Sequence, residues 1–253
     1  MNLNLLDCTL RDGGYYTDWN FSQSLVDEYL LTVSKLPISI VELGYISDAK
    51  DINGPFYHLN KKILQKAKNT LRKNQKLFVM INSKEIKNSK QLIDLIYDKK
   101  DFIDGIRFAV DPKKVIKLID LIKPVKKNYP KISFNINLMY MSRWINNIDY
   151  FNKIISSIKK DVDVVSLVDS YGALFPEQVK KFLKSINNSM ITLGCHFHNN
   201  CGMALANTYT AVKEGCKVFD TTFTGMGRGA GNAETELMLA INFTRISNAL
   251  SGF

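Results

Sequence analysis

The sequence predicts an α/β fold, an eightfold (β/α)8 TIM barrel, on three observations. Eight short apolar segments alternate with eight longer segments of helical periodicity, as parallel strands joined by crossover helices require. The length of 253 residues is close to the roughly 250 typical of such barrels. No GxGxxG turn follows the first strand, which disfavours an open dinucleotide-binding sheet. We therefore expect a single barrel domain over residues 1–253.

Each predicted strand is a short run rich in apolar and β-branched residues. In chain order the predicted strands are Leu3–Cys8, Ile38–Leu43, Leu77–Ile81, Gly105–Ala109, Ser133–Met139, Val162–Val168, Ile191–Phe197 and Val218–Phe223. Each predicted helix repeats its apolar residues at helical spacing and places lysines on the outer face. In chain order the predicted helices cover 22–35, 58–73, 86–97, 113–128, 144–159, 177–187, 203–215 and 234–249. Three of them begin at residues suited to a helix start, which are Ser22, Asp111 with Pro112, and Pro176.

The formal net charge of +10 raises the question of a nucleic-acid partner. The lysines are scattered over the outer faces of the predicted helices, and the chain has no basic tail and no aromatic-plus-basic motif. We therefore expect no nucleic-acid binding, although the charge can help to attract an anionic substrate or cofactor.

No segment approaches the ~20 consecutive apolar residues of a membrane span, and residues 1–7 lack a basic region and a cleavage site. We expect a cytoplasmic protein that does not contact a membrane. The four cysteines show neither a disulfide framework nor paired CxxC spacing, so they are interpreted as reduced thiols.

Two separated motifs predict a metal site. Arg11 and Asp12 follow the first strand, while His196 and His198 are two positions apart on the seventh, which puts both imidazoles on one strand face. Because the eighth strand closes against the first, Asp12, both histidines and Asn232 can converge at the carboxyl ends of the strands, where barrel enzymes place their chemistry. The alternatives are buried structural histidines and an Asn232 that only caps a helix. Other residues expected at these strand ends are Glu42, Tyr45, Asn82, Arg107, Met139 and Asp169.

Three motifs carry a resemblance to a known family. They are Thr9–Gly13 (TLRDG), His196–Asn199 (HFHN) and Gly225–Glu234 (GMGRGAGNAE). In this order they resemble the signatures of the DRE-TIM metallolyases, which include 4-hydroxy-2-oxovalerate aldolase, hydroxymethylglutaryl-CoA lyase and isopropylmalate synthase. The likeness covers about residues 3–245 and is greatest to the hydroxy-oxovalerate aldolases.

The resemblance implies one divalent cation bound by Asp12, His196 and His198, with Asn232 as a fourth ligand or a close neighbour. Mn²⁺ or Mg²⁺ suits these ligands best, and Co²⁺, Fe²⁺ or Zn²⁺ could take their place. A 2-oxo acid is expected to chelate the cation, which acts as a Lewis acid on the enolate left when a 4-hydroxy-2-oxo acid loses an aldehyde. The implied partners are a 2-oxo acid and an aldehyde, and a homodimer is compatible with the family.

Two further residues receive roles from the resemblance. Arg11 adds a fixed positive charge to the substrate oxygen, so it is both a catalytic and a substrate-binding residue. Ser170 stands where the aldolases hold the substrate carboxylate. The structural alternatives are an ion pair for Arg11, a turn position for Asp12, and a loop or cap position for Ser170.

This sequence departs from the family pattern at the residue that transfers protons. Three residues after the motif aspartate, where the aldolases have a histidine, this chain has Tyr15. Tyr15 could act as acid or base only with help from the cation or Arg11, because an ordinary phenol has a pKa of about 10. An aromatic pocket wall is the alternative. The unranked candidates for the same role are Tyr16, Trp19, Asn20, Glu42, Tyr45 and His58.

Two more features bear on the function. We expect this chain to lack the C-terminal domain through which the hydroxy-oxovalerate aldolases contact a dehydrogenase. The glycine-rich loop at 225–231 could bind an anionic group through its amides or could be a tight turn around the metal site. The leading hypothesis is a metal-dependent aldolase; a Claisen-type acyl-CoA lyase or synthase and a non-catalytic binding or scaffold subunit are the alternatives.

Overall fold

The computed structural model of the chain describes residues 4–186 and 191–241. Within these residues eight parallel strands close into a barrel in chain order, and the last strand pairs with the first. The strands are β1 (Asn4–Asp7), β2 (Ile40–Tyr45), β3 (Lys76–Asn82), β4 (Gly105–Val110), β5 (Ser133–Leu138), β6 (Val164–Asp169), β7 (Thr192–Phe197) and β8 (Val218–Thr221). The predicted barrel is confirmed.

Helices connect the strands, as expected for parallel pairing. They are α1 (Thr9–Asp12), α2 (Gly14–Thr17), α3 (Gln23–Lys35), α4 (Lys61–Thr70), α5 (Ser89–Tyr97), α6 (Val115–Asn128), α7 (Met141–Trp144), α8 (Ile148–Ile158), α9 (Pro176–Ser185) and α10 (Ala204–Lys213). Their apolar faces pack on the barrel wall; α8, for example, buries Phe151, Ile154, Ile155 and Ile158.

Local capping explains where several helices begin. The Ser22 side chain accepts from the amide of Leu25 at 3.3 Å, so the predicted cap of α3 is confirmed. The Asn60 side chain caps α4, which therefore begins three residues after the predicted start at 58. Similarly, Asn147 caps α8, so the helix predicted over 144–159 begins at Ile148, and the separate turn α7 ends at Trp144. Of the predicted helix 234–249, residues 235–241 are helical and the remainder lies outside the described residues.

Polar contacts anchor the closure of the barrel between β8 and β1. The buried carboxylate of Asp7, at the end of β1, accepts hydrogen bonds of 2.6 Å from both the Tyr29 and Thr235 hydroxyls. It also accepts from the amide of Thr9 at 3.0 Å. One side chain thus ties together the end of β1, α3 and the segment that follows β8.

A layer of polar side chains crosses the barrel interior. It is formed by Glu42, Arg107, Ser166 and Asp220, one from each of β2, β4, β6 and β8, as in the four-residue layers of such barrels. The Arg107 guanidinium donates to Glu42 Oε2 at 3.1 Å, to Ser166 Oγ at 3.3 Å and to Asp220 Oδ2 at 2.7 Å. Arg107 therefore holds the layer together.

The position of Arg107 corrects an expectation. The sequence placed it at the carboxyl end of the fourth strand, but it lies in mid-strand, opposite Met80 of β3 and Asn135 of β5. Its side chain is only 1% exposed. Burial alone would lower the pKa of Arg107, but the charges of Asp220 and Glu42 raise it above its usual value, so the guanidinium stays cationic.

Two other features concern the rest of the described chain. Its four cysteines are free thiols, of which Cys8, Cys195 and Cys216 are buried and Cys201 is exposed. None of the helices in the described residues is both long enough and apolar enough to cross a membrane.

Replacing the central arginine should destabilise the fold. In Arg107→Met, Glu42 and Asp220 keep buried charges without their main partner, so we expect the free energy of unfolding to fall by about 3–5 kcal/mol in urea denaturation. The matched control is Lys66→Met, which removes a half-exposed ion pair with Asp27 and should cost less than about 1 kcal/mol. Equal, small losses in both variants would contradict the structural role of Arg107.

Candidate functional site

The candidate site lies at the carboxyl ends of β7, β8 and β1, which are neighbours in the closed barrel. Arg11 and Asp12 are on α1, directly after β1, while His196 is in β7 and His198 follows it. Asn232, beyond β8, pairs with His198 through an isolated antiparallel bridge. The structure thus brings these five sequence-predicted residues to one end of the barrel.

The residues after β1 form a helical turn, α1. The amide of Gly13 donates to the carbonyl of Thr9 at 2.7 Å. A Cβ atom at Gly13 would lie only 2.6 Å from that carbonyl oxygen, so the turn requires glycine. The Trp19 indole donates to the carbonyl of Arg11 at 2.8 Å. Backbone contacts on both sides therefore fix the direction of the Arg11 and Asp12 side chains.

Asp12 lies among cationic and amide groups. Its Oδ1 forms an ion pair with Arg11, and its Oδ2 accepts from Asn232 Nδ2 at 2.6 Å and lies 3.3 Å from His196 Nε2. Burial alone would raise the pKa of Asp12, but the charge of Arg11 and the hydrogen bond to His196 hold it well below its usual value. The group is a carboxylate, the form that binds a cation.

The two histidines have different surroundings although their ring centroids are only 5.0 Å apart. His196 Nδ1 lies 2.9 Å from Asp220 Oδ2. Burial lowers the pKa of His196, but its hydrogen bonds to Asp12 and Asp220 outweigh this and raise the pKa. For His198, burial and the nearby charge of His196 lower the pKa to about 4. His198 is therefore neutral at neutral pH, as a metal ligand must be.

Several buried polar atoms at this end of the barrel have no hydrogen-bond partner. They include Nδ1 of His198, Oδ1 of Asn232 and Oδ1 of Asn137, which also lines the cavity. Leaving such an atom unpaired normally costs about 1–3 kcal/mol, so it commonly marks a place that a ligand or ion occupies. An imidazole nitrogen, an amide oxygen and the carboxylate of Asp12 form a donor set that suits a divalent cation.

Cys8 also lies beside this donor set, which the sequence did not anticipate. Ligand atoms of Cys8, Asp12 and His196 all lie within 4.8 Å of one another, so this trio could hold a metal ion. The thiol, however, donates to the carbonyl of Thr221 at 3.4 Å, and burial raises its pKa well above the usual value. A thiol that stays protonated is a poor ligand, so Cys8 is better regarded as a neighbour of the site.

Arg11 connects the site to the polar layer of the barrel. Its Nε donates to Glu42 Oε1 at 2.7 Å, and its Nη1 pairs with Asp12. The contacts close a ring in the order Asp12, Arg11, Glu42, Arg107, Asp220, His196 and back to Asp12. Arg11 thus forms the ion pairs that the structural alternative predicted. The same contacts hold its guanidinium beside Asp12.

A small cavity of about 60 Å³ opens at this site. Arg11, Asp12, Tyr15 and both histidines are among its lining residues. Tyr15 is 46% exposed and packs its ring edge against Trp19, with centroids 4.9 Å apart, so it is a wall of the cavity. Tyr45, a buried residue that the sequence did not rank, lines the same cavity.

Ser170 does not line the cavity itself but contacts Met139, which does. Its Oγ accepts from the amide of Tyr140 at 3.0 Å and is 4.0 Å from the sulfur of Met139, which lines the cavity. The carbonyl of Ser170 accepts from the side chain of Arg228 at 3.0 Å. The substrate-binding role predicted for Ser170 stays a prediction.

The glycine-rich loop has the geometry of a tight turn around Asn232. The amide of Asn232 donates to the carbonyl of Gly225 at 2.9 Å. Gly231 has a φ of +86°, and a Cβ there would lie 2.0 Å from the Gly225 carbonyl oxygen. This arrangement favours the turn that the sequence offered as one alternative, and it orients the Asn232 side chain towards Asp12.

Two candidates for proton transfer are engaged elsewhere. Glu42 is bound to both Arg11 and Arg107. His58 directs its Nδ1 at the carbonyl of Ser47 and its Nε2 at that of Ile52, in the loop after β2. The sequence analysis missed Asp220 as a site residue, and it included Arg228 only as part of the glycine-rich loop.

Comparisons with known proteins agree with this architecture. The family model described as HMGL-like matches residues 2–250. The N-terminal domain of a protein from Bacteroides vulgatus, named as a candidate aldolase, superposes with a TM-score of 0.89 at 36% identity, covering 97% of this chain and 81% of that one.

Two curated relatives are similar over almost the whole chain. An oxaloacetate decarboxylase of Mycobacterium tuberculosis is 25% identical over 93% of this chain and 68% of its own length. A 4-hydroxy-2-oxovalerate aldolase of Pectobacterium atrosepticum is 25% identical over 94% of this chain and 68% of its own length. With the match to the family model, these similarities show that the chain belongs to the HMGL-like family of carbon–carbon lyases.

Proposed function

We propose that this protein is a divalent-metal-dependent aldolase that makes or breaks a carbon–carbon bond of a 4-hydroxy-2-oxo acid. The observation that carries the proposal is the shared cavity of Arg11, Asp12, His196 and His198. The names of the two curated relatives are consistent with it, because both denote cleavage of a 2-oxo acid. The proposal also places the enzyme in the cytoplasm.

The proposed ligands are Asp12, His196 and His198, with Asn232 as a fourth ligand or a close neighbour. The unpartnered atoms of His198 and Asn232 support this set. In the ring, three carboxylates face two guanidinium groups, so a cation beside Asp12 and His196 would offset the remaining negative charge. Mixed nitrogen and oxygen donors suit Mn²⁺ or Mg²⁺ best, and Co²⁺, Fe²⁺ or Zn²⁺ could substitute. When bound, the cation supplies Lewis-acid stabilisation of negative charge on the substrate oxygens.

The protein's own groups would then handle charge and protons. In the cleavage direction the C4 hydroxyl loses its proton, the C3–C4 bond breaks, an aldehyde leaves, and the electron pair forms the pyruvate enolate, which takes a proton at C3. Arg11, fixed by Glu42, stabilises the negative charge on the C2 oxygen. Tyr15 is the proposed proton-transfer group, and Ser170 the proposed contact for the carboxylate.

Hydrogen exchange of pyruvate tests the proposed function. We expect the Mg²⁺-loaded protein in D₂O to replace the methyl hydrogens of pyruvate with deuterium, seen as loss of the methyl signal by proton NMR. Arg11→Met should slow this exchange by about 10²–10³-fold, because a fixed charge beside the developing oxyanion is lost. No exchange with Mg²⁺, Co²⁺ or Zn²⁺ would contradict the proposal and favour the acyl-CoA or scaffold alternative.

Metal binding tests the ligand assignment. The protein should bind one equivalent of Mn²⁺, and His198→Ala should weaken this binding by at least about 100-fold, since a ligand is lost. The matched control is His58→Ala, because both ring nitrogens of His58 lie against carbonyls of its own loop, away from the candidate site. Electron paramagnetic resonance of free Mn²⁺ gives both affinities. Equal affinity of the two variants would remove His198 from the ligand set.

The hydroxyl of Tyr15 can be tested by removing it alone. We expect Tyr15→Phe to lose about 100-fold or more in turnover, as general acid–base groups commonly do, while Mn²⁺ and pyruvate binding stay within a few-fold. Tyr97→Phe is the matched control, since Tyr97 is an exposed tyrosine of α5 that does not line the cavity. Near-native turnover of Tyr15→Phe would leave Tyr15 as a pocket wall only.

A further inference from the structure

The described arginines fall into two groups. Arg11 and Arg107 are buried, and each pairs with two carboxylates. Arg72, Arg143 and Arg228 are exposed, and in the described part of the chain no carboxylate lies within 4 Å of their guanidinium groups. Of these three, Arg228 lines the cavity of the candidate site.

Arg228 faces the cavity with most of its hydrogen-bonding capacity available. One terminal nitrogen donates to the carbonyl of Ser170 at 3.0 Å, and this is its one hydrogen bond to a described residue. A guanidinium has five N–H donors in a fixed fork that matches carboxylate and phosphate groups. The charge of Arg228 also reaches His198, whose pKa it helps to lower.

The loop that carries Arg228 is held in place from both sides. The hydroxyl of Tyr16 donates to the carbonyl of Gly229 at 2.6 Å. The amide of Ala230 donates to Asn200 Oδ1 at 3.0 Å, and the amide of Asn199 donates to the carbonyl of Gly231 at 2.8 Å. The backbone at Arg228 is therefore already ordered, which reduces the entropic cost of binding a ligand there.

Arg143 adds a second positive charge near Ser170. Its guanidinium lies 4.9 Å from the ring centroids of both Tyr140 and Tyr171. The amide of Tyr140 donates to the Ser170 hydroxyl, and Tyr171 is the next residue along the chain. The end of β6 thus has two arginines nearby that have no acidic partner among the described residues.

We propose that Arg228 binds an anionic group, a carboxylate or a phosphate, on the aldehyde partner of the reaction. Arg143 adds to the positive electrostatic potential near the outer edge of the cavity. The inference rests on the proposed function, in which the 2-oxo acid occupies the inner end of the cavity beside Asp12 and His196. Arg228 is exposed at the outer edge, where the fragment beyond C4 extends. The substrate class is then a 4-hydroxy-2-oxo acid with a second anionic group on the fragment released as aldehyde.

Matched aldehyde pairs test the proposal with pyruvate as the common partner. The pairs are glyceraldehyde 3-phosphate with glyceraldehyde, and succinic semialdehyde with butanal. For the wild-type protein we expect kcat/KM to favour the charged member of at least one pair by about ten- to a hundredfold, the effect of a charge-assisted hydrogen bond. The pair with the larger ratio distinguishes phosphate from carboxylate.

Arginine variants assign that preference to a residue. Arg228→Gln should reduce the charged-to-neutral ratio to about threefold or less, and Arg143→Gln should reduce it by a smaller factor. The control is Arg72→Gln, because Arg72 likewise donates to one carbonyl, that of Leu36, but follows α4 at the opposite end of the barrel. It should keep the wild-type ratio.

A binding measurement separates this inference from the proposed function. The ratio of dissociation constants within each pair, measured by calorimetry with the Mg²⁺- and pyruvate-loaded protein, should change in the same way as kcat/KM. If pyruvate shows no exchange in D₂O, the proposed function fails and this ratio alone decides the role of Arg228. Wild-type ratios near one in both pairs, or a ratio unchanged by Arg228→Gln, would overturn the inference.

Discussion

The buried charge of Arg107 determines how the other polar side chains of the barrel interior are arranged. A guanidinium in this position is tolerated only with carboxylates beside it, and Glu42 and Asp220 supply them from β2 and β8 in the same layer. Each carboxylate also contacts one residue towards the carboxyl end: Glu42 contacts Arg11, and Asp220 contacts His196. The need to neutralise one charge in the core thereby orients two residues of the candidate site.

The same arrangement explains why two histidines on one strand face differ. His196 faces inward to Asp12 and Asp220, so its protonated form is favoured when no cation is present. His198, two residues later, is above this ring and is affected by burial and by the positive charges of its neighbours. The different depths of the two residues along one strand face therefore produce one imidazole bound to carboxylates and one neutral imidazole with an unpartnered nitrogen.

The sequence was sufficient to predict the barrel and the residues at the carboxyl ends of its strands. It was not sufficient to predict the contacts that these residues make with one another. Strand periodicity and the His-x-His spacing are local signals, so β7 and the shared face of His196 and His198 could be predicted. The depth of Arg107 depends on strand register, which apolar runs do not specify. The helical turn at α1 depends on contacts with Trp19 and Thr9, and no propensity of a TLRDG segment indicates it. The site assignment itself stays a prediction.

Within the part of the chain that the structure describes, the buried polar layer lies at the inner end of the cavity. Arg107 and Ser166 are each 1% exposed and close the barrel beneath His196, whereas Tyr15 and Arg228 lie at the open edge. Two reactants that share such a cavity cannot exchange independently, because the outer one blocks the path of the inner one. For the proposed reaction this shape predicts a compulsory order, in which the inner ligand binds first and leaves last.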